Sequence, residues 1–492
     1  MDKKLKIVLI SSLAVYIVYH LITLIYSPIP WFDEVSFAAI AESYAKDHTF
    51  YETNRILVLP DQKYVYGPLY FIFQAFVIKT IGVGSFNIRL NGFIFGLIDL
   101  WLVYKICRHL KFSQHVAIFT IGIIALEPNF NQVLHSGRMD FMTLFFFLAS
   151  YLVFVRAVPG SVRSFLPFAL GAGVLLAGAV LTTPRILFGF SVYIFGFLYE
   201  MWDSENTGRR MTYVFPKYAA LFVGFIAVYY IWIYWAFGSI ANYIYYNTHS
   251  ELVQTHVGLG SKFRWSYYIV IYAYALLSFL ILVKNRAIKQ QSSLILITVP
   301  VIISFLLVVT GGLSGRYFAL ADPFLMMLIV GVTMQWYSSR PFKIATYAVG
   351  CFFGMIFIFK ALFIFSSMQQ RDPNYNASLI AKHIQPGSRV VGDFQYYYIS
   401  RNNNCSFISL GENGDNWDKK MKYFFDNKYD YFIVNKYSGA REYYEKKLAE
   451  NNYSLVATVE IQDSKSLFHR LIQKLPYKIS ESYSCSIYKI NP

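Results

Sequence analysis

The chain has 492 residues, of which 56% are hydrophobic and only 15% charged, and its mean hydropathy is +0.41. A water-soluble domain cannot bury so much apolar surface, so the composition excludes an ordinary soluble enzyme and predicts that lipid surrounds much of the chain. The net charge is +16. Its basic residues lie in small groups between apolar segments, which is typical of membrane topology signals, so no nucleic-acid partner is expected.

The N-terminal segment, residues 1–26, has three lysines followed by an apolar run. A cleaved signal peptide is the alternative interpretation. The run is about 20 residues long, enough to cross a bilayer, and no small-residue cleavage site follows it. We therefore expect an uncleaved first membrane helix.

Eleven apolar segments are long enough to span a membrane. They lie near residues 7–26, 89–107, 114–130, 139–156, 164–182, 186–202, 216–237, 266–284, 293–310, 317–336 and 343–365. A further stretch, 69–81, has the length expected of a piece that lies along the membrane surface.

The positions of the basic groups decide the orientation. If residues 69–81 do not cross the membrane, every connection on the same side of the membrane as the N-terminus carries Lys or Arg. Cytoplasmic loops generally have this excess of basic residues. The sequence thus predicts a cytoplasmic N-terminus, with residues 27–88, 238–265 and 366–492 outside the cytoplasm. The membrane domain is expected to cover residues 1–365.

Residues 366–492 are polar and rich in Asn, Lys and Tyr. Their pattern predicts a small extracytoplasmic α/β domain, with strands at 388–394, 429–435, 455–461 and 485–490 and helices at 376–384 and 441–451. No phosphate-binding loop or metal-ligand spacing is found in it, which favours a lid or docking domain. Cys405 and Cys485 are expected either to form a disulfide or to remain buried free thiols.

Two adjacent carboxylates, Asp33 and Glu34, follow Trp31 and Phe32 just after the first predicted span. A carboxyl group that is partly buried against aromatic rings is suited to act as a general base. The alternative is a purely structural role, in which the two side chains interact with the dipole of a helix that starts at Val35.

Three residues of the aromatic segment at 64–70 are candidates for binding a sugar: Tyr66, Pro68 and Tyr70. The tyrosine rings can stack on a sugar or simply lie at the membrane interface. In the second long loop, His256 is a further candidate substrate-binding residue. The His and Glu residues of this loop match no metal-ligand spacing, so no metal site is assigned.

Two arginines lie at the outer ends of predicted spans, against the general charge trend. Arg138, with Asp140 two residues later, precedes the fourth span, and Arg316, with Tyr317, precedes the tenth. Arginine binds phosphate bidentately, so these positions indicate a site for an anionic lipid head group. Local pairing of Arg138 with Asp140, or attraction of Arg316 to lipid phosphates, remains open.

These motifs, in this order, resemble the polyprenyl-phosphate-sugar-dependent glycosyltransferases of the GT-C superfamily. The chain looks most like the RgtA/B/C/D-like enzymes and the aminoarabinose transferases of lipid A. The resemblance covers most of the chain and rests on Asp33-Glu34, Ala38, Ala39 and Ala41, Gly67-Pro68-Leu69-Tyr70, Arg89-Leu90, Arg138-x-Asp140, Gly315-Arg316-Tyr317 and Pro323.

The resemblance implies a multi-pass protein of a bacterial inner membrane that transfers a sugar from a polyprenyl-phosphate donor, with inversion. The acceptor would be an envelope lipid, polysaccharide or protein. Asp33 matches the residue that acts on the acceptor, and Arg316 matches the basic residue near the donor phosphate. Where some relatives place a metal-binding carboxylate, this chain has Val65 and Tyr66, so a divalent metal stays open as a cofactor.

A transporter or flippase of lipid-linked sugars is the alternative function. Such a protein would use polar residues inside the membrane, for which Asp99 and Lys360 are candidates. Transporters often show paired repeats with broken central helices. This sequence shows no such repeat, and a soluble C-terminal domain is not expected of a transporter.

Overall fold

The fold is taken from a computed structural model, which describes residues 3–50, 53, 67–157, 162–202, 207–249, 266–284, 297–304, 319–336, 339–410, 417–461 and 482–491. These residues form a largely helical body followed by a small domain with a β-sheet. The predicted fold class is confirmed at this level.

The described residues of the first part of the chain form fourteen helices. They are α1 (Lys3–Thr23), α2 (Phe32–Asp47), α3 (Leu69–Ile81), α4 (Ser85–His109), α5 (Gln114–Leu126), α6 (Pro128–Leu134), α7 (Asp140–Phe154), α8 (Val162–Val180), α9 (Phe190–Trp202), α10 (Thr207–Phe237), α11 (Ile240–His249), α12 (Ser266–Lys284), α13 (Asp322–Val330) and α14 (Arg340–Ser366). A 3₁₀ turn (Pro184–Gly189) precedes α9, and a π-helical segment (Gly331–Trp336) follows α13.

The eleven predicted spans are confirmed only in part. Among the described residues, three helices are long and apolar enough to cross a membrane: Ser85–His109, Thr212–Phe237 and Arg340–Ser366. A fourth span arises if α5 and α6 are counted together, although they meet at an angle of 66°. Most of the predicted span at 293–310 lies outside the described residues.

The predicted span at 114–130 is not a single straight helix, because the helix breaks between Leu126 and Pro128. Proline has no N–H and cannot continue the hydrogen-bond ladder, but it suits the first turn of a new helix. The Glu127 side chain caps that new helix by accepting a hydrogen bond from the backbone N–H of Phe130, at 2.5 Å.

Helices α8 and α10 approach each other through a reciprocal pair of glycines. A Cβ added at Gly173 would overlap the carbonyl oxygen of Leu221, and one added at Gly224 would lie 2.5 Å from the carbonyl oxygen of Leu170. Small residues at such positions let two membrane helices pack backbone against backbone. The two helices therefore depend on the absence of side chains at Gly173 and Gly224.

The C-terminal domain contains a five-stranded mixed sheet in the order β2-β1-β3-β5-β4. Its strands are β1 (Arg389–Gly392), β2 (Ser406–Ser409), β3 (Tyr431–Asn435), β4 (Tyr453–Val459) and β5 (Cys485–Ile490). Its helices are α15 (Met368–Arg371), α16 (Pro373–Ile380), α17 (Tyr397–Asn402), α18 (Trp417–Asp426) and α19 (Arg441–Glu450). The four predicted strands and both predicted helices are present, and β2, α15, α17 and α18 are additional.

The disulfide between Cys405 and Cys485 is not formed, and both cysteines are buried free thiols. Cys405 directly precedes β2, whereas Cys485 begins β5, three positions further along the sheet. Three strand spacings amount to roughly 14 Å. A disulfide requires Cα atoms within about 7 Å, so the sheet order keeps the thiols apart.

The C-terminal domain packs directly against the segment that follows α1. One hydrophobic cluster contains Val35 and Ala38 of α2 together with Ile380, Tyr397 and Tyr398 of the C-terminal domain. The segment after α1 and the C-terminal domain therefore share one hydrophobic core.

Candidate active site

Helix α2 begins at Phe32, so Asp33 and Glu34 both lie in its first turn. Carboxylates are favoured there by the partial positive charge of the helix N-terminus. Asp33 is 6% exposed and Glu34 is fully buried. Their neighbours show that they do more than interact with the helix dipole, because each carboxylate meets a different buried arginine.

Asp33 pairs with Arg138, which also holds Asp140. The Arg138 guanidinium donates from Nη1 to Oδ2 of Asp33 and from Nε to Oδ2 of Asp140, the latter at 2.6 Å. Its Cζ lies 5.7 Å from the centre of the Trp31 ring. Oδ1 of Asp140 is buried and has no hydrogen-bond partner within the described residues. The cluster holds two carboxylates and one guanidinium in a site nearly closed to water.

Glu34 pairs with Arg89 of α4. Nε of Arg89 lies 3.2 and 3.1 Å from the two carboxylate oxygens, and Nη2 lies 2.9 Å from Oε2. A third donor comes from the C-terminal domain, where the Tyr398 hydroxyl lies 3.2 Å from Oε1. Burial raises the pKa of Glu34 to about 7, against the opposing influence of Arg89 and Tyr398.

The loop between α6 and α7 fits closely over this pair of clusters. Gly137 has φ +60°, and a Cβ there would lie 3.0 Å from Cγ of Glu34 and 2.8 Å from Ile88. The hydroxyl of Tyr70, in α3, donates to the carbonyl of Gly137. Tyr70 is fully buried, so it braces the loop that carries Arg138.

Pro68 and Gly67 set the start of α3. Pro68 precedes the first residue of the helix, and a Cβ at Gly67 would overlap the backbone of Leu181. Glycine is therefore required where the chain enters α3. Because Gly67 and Pro68 determine where α3 begins, they set the position of Tyr70, the second residue of that helix.

Behind the loop lies a histidine pair that sequence reasoning missed. Nδ1 of His20 is 2.7 Å from Nε2 of His135, and Nδ1 of His135 is 2.8 Å from the carbonyl oxygen of Ser27. Both rings are 1% exposed. Because the Ser27 carbonyl can only accept, His135 donates to it and His20 donates to His135. The pair joins α1 to the loop that carries Arg138.

A second polar contact joins α2 to the C-terminal domain. Glu42 receives hydrogen bonds from Nε of Arg401, at 3.2 Å, from Nη2 of Arg401 and from the Tyr397 hydroxyl, at 2.8 Å. Lys46 lies 3.0 Å away on the same helix. Burial alone would raise the pKa of Glu42, but these donors outweigh it and hold the pKa below its ordinary value.

Four of the predicted site residues lie outside the described residues: Tyr66, His256, Arg316 and Tyr317. Among the predicted residues that are described, the structure brings Asp33, Glu34, Arg138 and Asp140 together, with Tyr70 beside them. Arg89, Glu42, Tyr398 and the histidine pair were not predicted as site residues. Of these, Arg89 was noted in the sequence as part of the Arg89-Leu90 motif of the family resemblance.

Within the described part of the chain, no group of three or more His, Cys, Asp or Glu side chains is arranged to hold a metal ion. The acidic groups near α2 are instead matched by arginines. This cluster is a site built from paired charges.

Residues 65–235 match the family model of dolichyl-phosphate-mannose-protein mannosyltransferases. Among solved structures, the chain is similar to ArnT from Cupriavidus metallidurans bound to undecaprenyl phosphate, with a TM-score of 0.63, 12% identity and 100% of both chains covered. The apo state of the same protein gives a TM-score of 0.63, 13% identity and 99% coverage of both chains. No curated protein sequence matches the chain.

The TM-scores and the coverage of both chains establish a shared fold, which extends over the helical body and the C-terminal domain. Together with the family match, they confirm the resemblance to the GT-C superfamily that the sequence motifs indicated.

Proposed function

We propose that the chain is a membrane glycosyltransferase. It transfers a sugar from a polyprenyl-phosphate donor to an envelope lipid, polysaccharide or protein, with inversion at the anomeric carbon. The observation that carries the proposal is the buried Asp33–Arg138–Asp140 cluster, which joins the first turn of α2 to the start of α7, in a chain that shares the fold of ArnT. The crystal structure of that neighbour contains undecaprenyl phosphate.

In the proposed reaction, Asp33 acts as the general base. The acceptor hydroxyl gives its proton to the Asp33 carboxylate while its oxygen forms a bond to the anomeric carbon. The bond from that carbon to the phosphate oxygen breaks, and polyprenyl phosphate leaves with the electron pair. A hydroxyl is a poor nucleophile without such a base, and an inverting transfer needs only this single displacement.

Charge develops on the departing phosphate, so cationic groups are needed where it leaves. Arg138 and Arg316, with Tyr317, are proposed to supply this stabilisation. Arg138 would also orient Asp33, because one guanidinium contacts both Asp33 and Asp140. Asp140 is proposed to bind substrate through its second carboxylate oxygen, which is buried and has no partner among the described residues.

The remaining predicted residues are assigned to substrate binding. Tyr66 and His256 are proposed to contact the sugar or the acceptor. Pro68 and Tyr70 are proposed to shape the site, which is consistent with the hydrogen bond from Tyr70 to the loop before Arg138. Glu34 is proposed to support Asp33, since its carboxylate faces Arg89. We also propose that the protein lies in a bacterial inner membrane.

The test is turnover of a polyprenyl-phosphate-linked sugar by purified protein in lipid vesicles. Asp33→Asn keeps the shape of the side chain and removes the base, so transfer should fall by roughly a hundredfold or more. Asp47→Asn, at the exposed C-terminal end of the same helix, is the matched control and should retain wild-type transfer. Release of polyprenyl phosphate and formation of glycosylated acceptor are both measured by mass spectrometry.

Wild-type turnover in Asp33→Asn would refute the role of Asp33. Absence of polyprenyl phosphate release by the wild-type protein, across lipid-linked pentose and hexose donors, would refute the proposed function. The anomeric configuration of the product, read by NMR, tests inversion separately.

A further inference from the structure

The C-terminal domain extends a short helix, α17, onto the helix that carries Asp33 and Glu34. The hydroxyl of Tyr398 lies 3.2 Å from Oε1 of Glu34, although the two residues are 364 positions apart in the chain. Tyr398 is 2% exposed and Glu34 is fully buried. The C-terminal domain therefore contributes a side chain to the interior of the candidate active site.

The same helix holds α2 at a second point. Tyr397 and Arg401 both bond Glu42. Glu34 and Glu42 are eight residues apart, so they lie a little over two turns apart along α2, with their side chains about 80° apart around its axis. Contacts at both points restrict rotation of α2 about its axis as well as sliding along it.

The position of Asp33 depends on that restriction. Successive residues of a helix point about 100° apart, so any rotation that releases Glu34 from its partners also turns Asp33 away from Arg138. Arg89 holds Glu34 from the side of α4, and Tyr398 holds it from the side of the C-terminal domain. When both contacts are present, α4 on one side and the C-terminal domain on the other fix the rotation of α2 about its axis.

We propose that α17 is a positioning element of the active site, in which the Tyr398 hydroxyl fixes Glu34 and thereby aligns Asp33 with Arg138. This inference rests on the proposed glycosyl transfer and assigns the C-terminal domain a part in it beyond that of a lid. Tyr398 is a positioning residue, because its hydroxyl contacts Glu34 and is not assigned to the substrate.

The matched variants are three neighbouring tyrosines. Tyr398→Phe removes only the hydroxyl that meets Glu34, and Tyr397→Phe removes only the one that meets Glu42. Tyr396→Phe is the control, since the Tyr396 hydroxyl bonds the carbonyls of Tyr483 and Ser484 inside the C-terminal domain, at 3.4 and 3.3 Å. Each of the three changes deletes one buried hydroxyl, and the three positions are consecutive in the chain.

Misplacement of a catalytic group by a fraction of an ångström to 1 Å costs up to about a hundredfold in rate. We expect Tyr398→Phe to lower kcat by roughly ten- to a hundredfold while the donor KM stays within about twofold. Tyr397→Phe should have a smaller effect because Arg401 still holds Glu42. Tyr396→Phe should leave kcat unchanged.

A pH profile separates positioning from loss of structure. The groups that face Glu34 are Arg89 from α4, Tyr398 from α17 and Tyr70 from α3. Arg89 and Tyr398 favour the carboxylate form, so removal of the Tyr398 hydroxyl raises the pKa of Glu34 further. Protonated Glu34 loses its charge attraction to Arg89. The acidic limb of the rate profile should therefore move to higher pH in Tyr398→Phe and stay in place in Tyr396→Phe.

Hydrogen exchange supplies a readout that needs no substrate. Peptides that cover residues 32–40 should exchange faster in Tyr398→Phe than in Tyr396→Phe, at equal thermal stability of the two variants. Unchanged exchange in these peptides would overturn the inference. So would equal kcat for Tyr398→Phe and wild type, or equal losses in Tyr398→Phe and Tyr396→Phe, while failure of the wild type to transfer sugar would bear on the proposed function alone.

Discussion

The most informative residues of this molecule are charged side chains that are almost completely buried. Asp33, Glu34, Arg89, Arg138 and Asp140 each expose 6% or less of their surface. Removing one partner from such a group leaves an uncompensated buried charge, which typically costs about 3–5 kcal/mol. Neutral variants that keep the shape, such as Asp33→Asn, are therefore better probes of function here than truncations to alanine.

Asp99 differs from these residues, since neither of its buried carboxylate oxygens has a hydrogen-bond partner within the described residues. A transporter would need this residue, whereas the proposed transferase would not. We expect Asp99→Asn to keep sugar transfer within about twofold of wild type and to leave thermal stability nearly unchanged, because an isolated buried carboxyl group takes up a proton and Asn keeps its shape.

The measurements for Asp99→Asn are the turnover assay and the thermal unfolding midpoint in detergent. Asp47→Asn, which makes the same change at an exposed position, is the control and should alter neither. Loss of turnover in Asp99→Asn with an intact unfolding transition would assign Asp99 a function and favour the transporter alternative.

At the residue scale, sequence reasoning found the groups that are adjacent in the chain. Asp33-Glu34 and Arg138-x-Asp140 were each visible as a local motif, and the structure joins the two motifs. Their cross-chain partners were not predictable. Nothing in the sequence around Tyr398 indicates that its hydroxyl reaches Glu34, because that contact is set by how two distant segments pack.

Helices α8 and α10 show how single glycines set the distance between two packed helices. Gly173 faces the backbone of Leu221, whereas Gly171, two residues earlier in α8, has only a side-chain atom of Val153 at 3.9 Å. Substitutions at Gly173 and Gly171 therefore compare two positions of α8, one with a close backbone neighbour and one without.

Gly173→Ala should push α10 away and lower the free energy of unfolding by about 1–3 kcal/mol, as overpacked cores do. Gly171→Ala should be neutral or stabilising by up to about 1 kcal/mol, because alanine is the better helix former. Thermal unfolding of both variants in the same detergent gives the comparison. Equal unfolding midpoints for the two variants would contradict the close approach of α8 and α10.

Apolar length predicted most helices, but it could not predict where they bend. The span expected at 114–130 contains Pro128, yet its overall hydropathy conceals the 66° break. In the C-terminal domain, strong β-branched and aromatic patterns identified four strands. The strand β2 was missed because it is only four residues long, Ser406–Ser409, and follows a stretch of asparagines.

For the whole molecule, the contact between α2 and the C-terminal domain constrains topology. Because the two segments share a hydrophobic core, we predict that they lie on one side of the membrane, and the distribution of basic residues predicts that this side is outside the cytoplasm. Single cysteines at Lys46 and Lys289, in a background without other reactive cysteines, test the orientation. Lys46 is suitable because its side chain is 58% exposed.

We expect an impermeant thiol reagent added to intact cells to label position 46 and to leave position 289 unlabelled until the membrane is permeabilised. Labelling of position 289 from outside would reverse the predicted orientation. Labelling of neither site in permeabilised cells would show that the introduced thiols are inaccessible, so an exposed position such as Lys382 serves as the positive control for the outer side.

The order in which a ribosome makes this chain gives the α17 contact a further consequence. Glu34 is synthesised 364 residues before Tyr398, whose helix belongs to a domain that folds later. The sheet of that domain needs β5, which pairs with both β3 and β4. A nascent chain in which β5 has not yet been made therefore lacks the hydrogen bond from Tyr398 to Glu34, and the site is completed only after β5 joins the sheet.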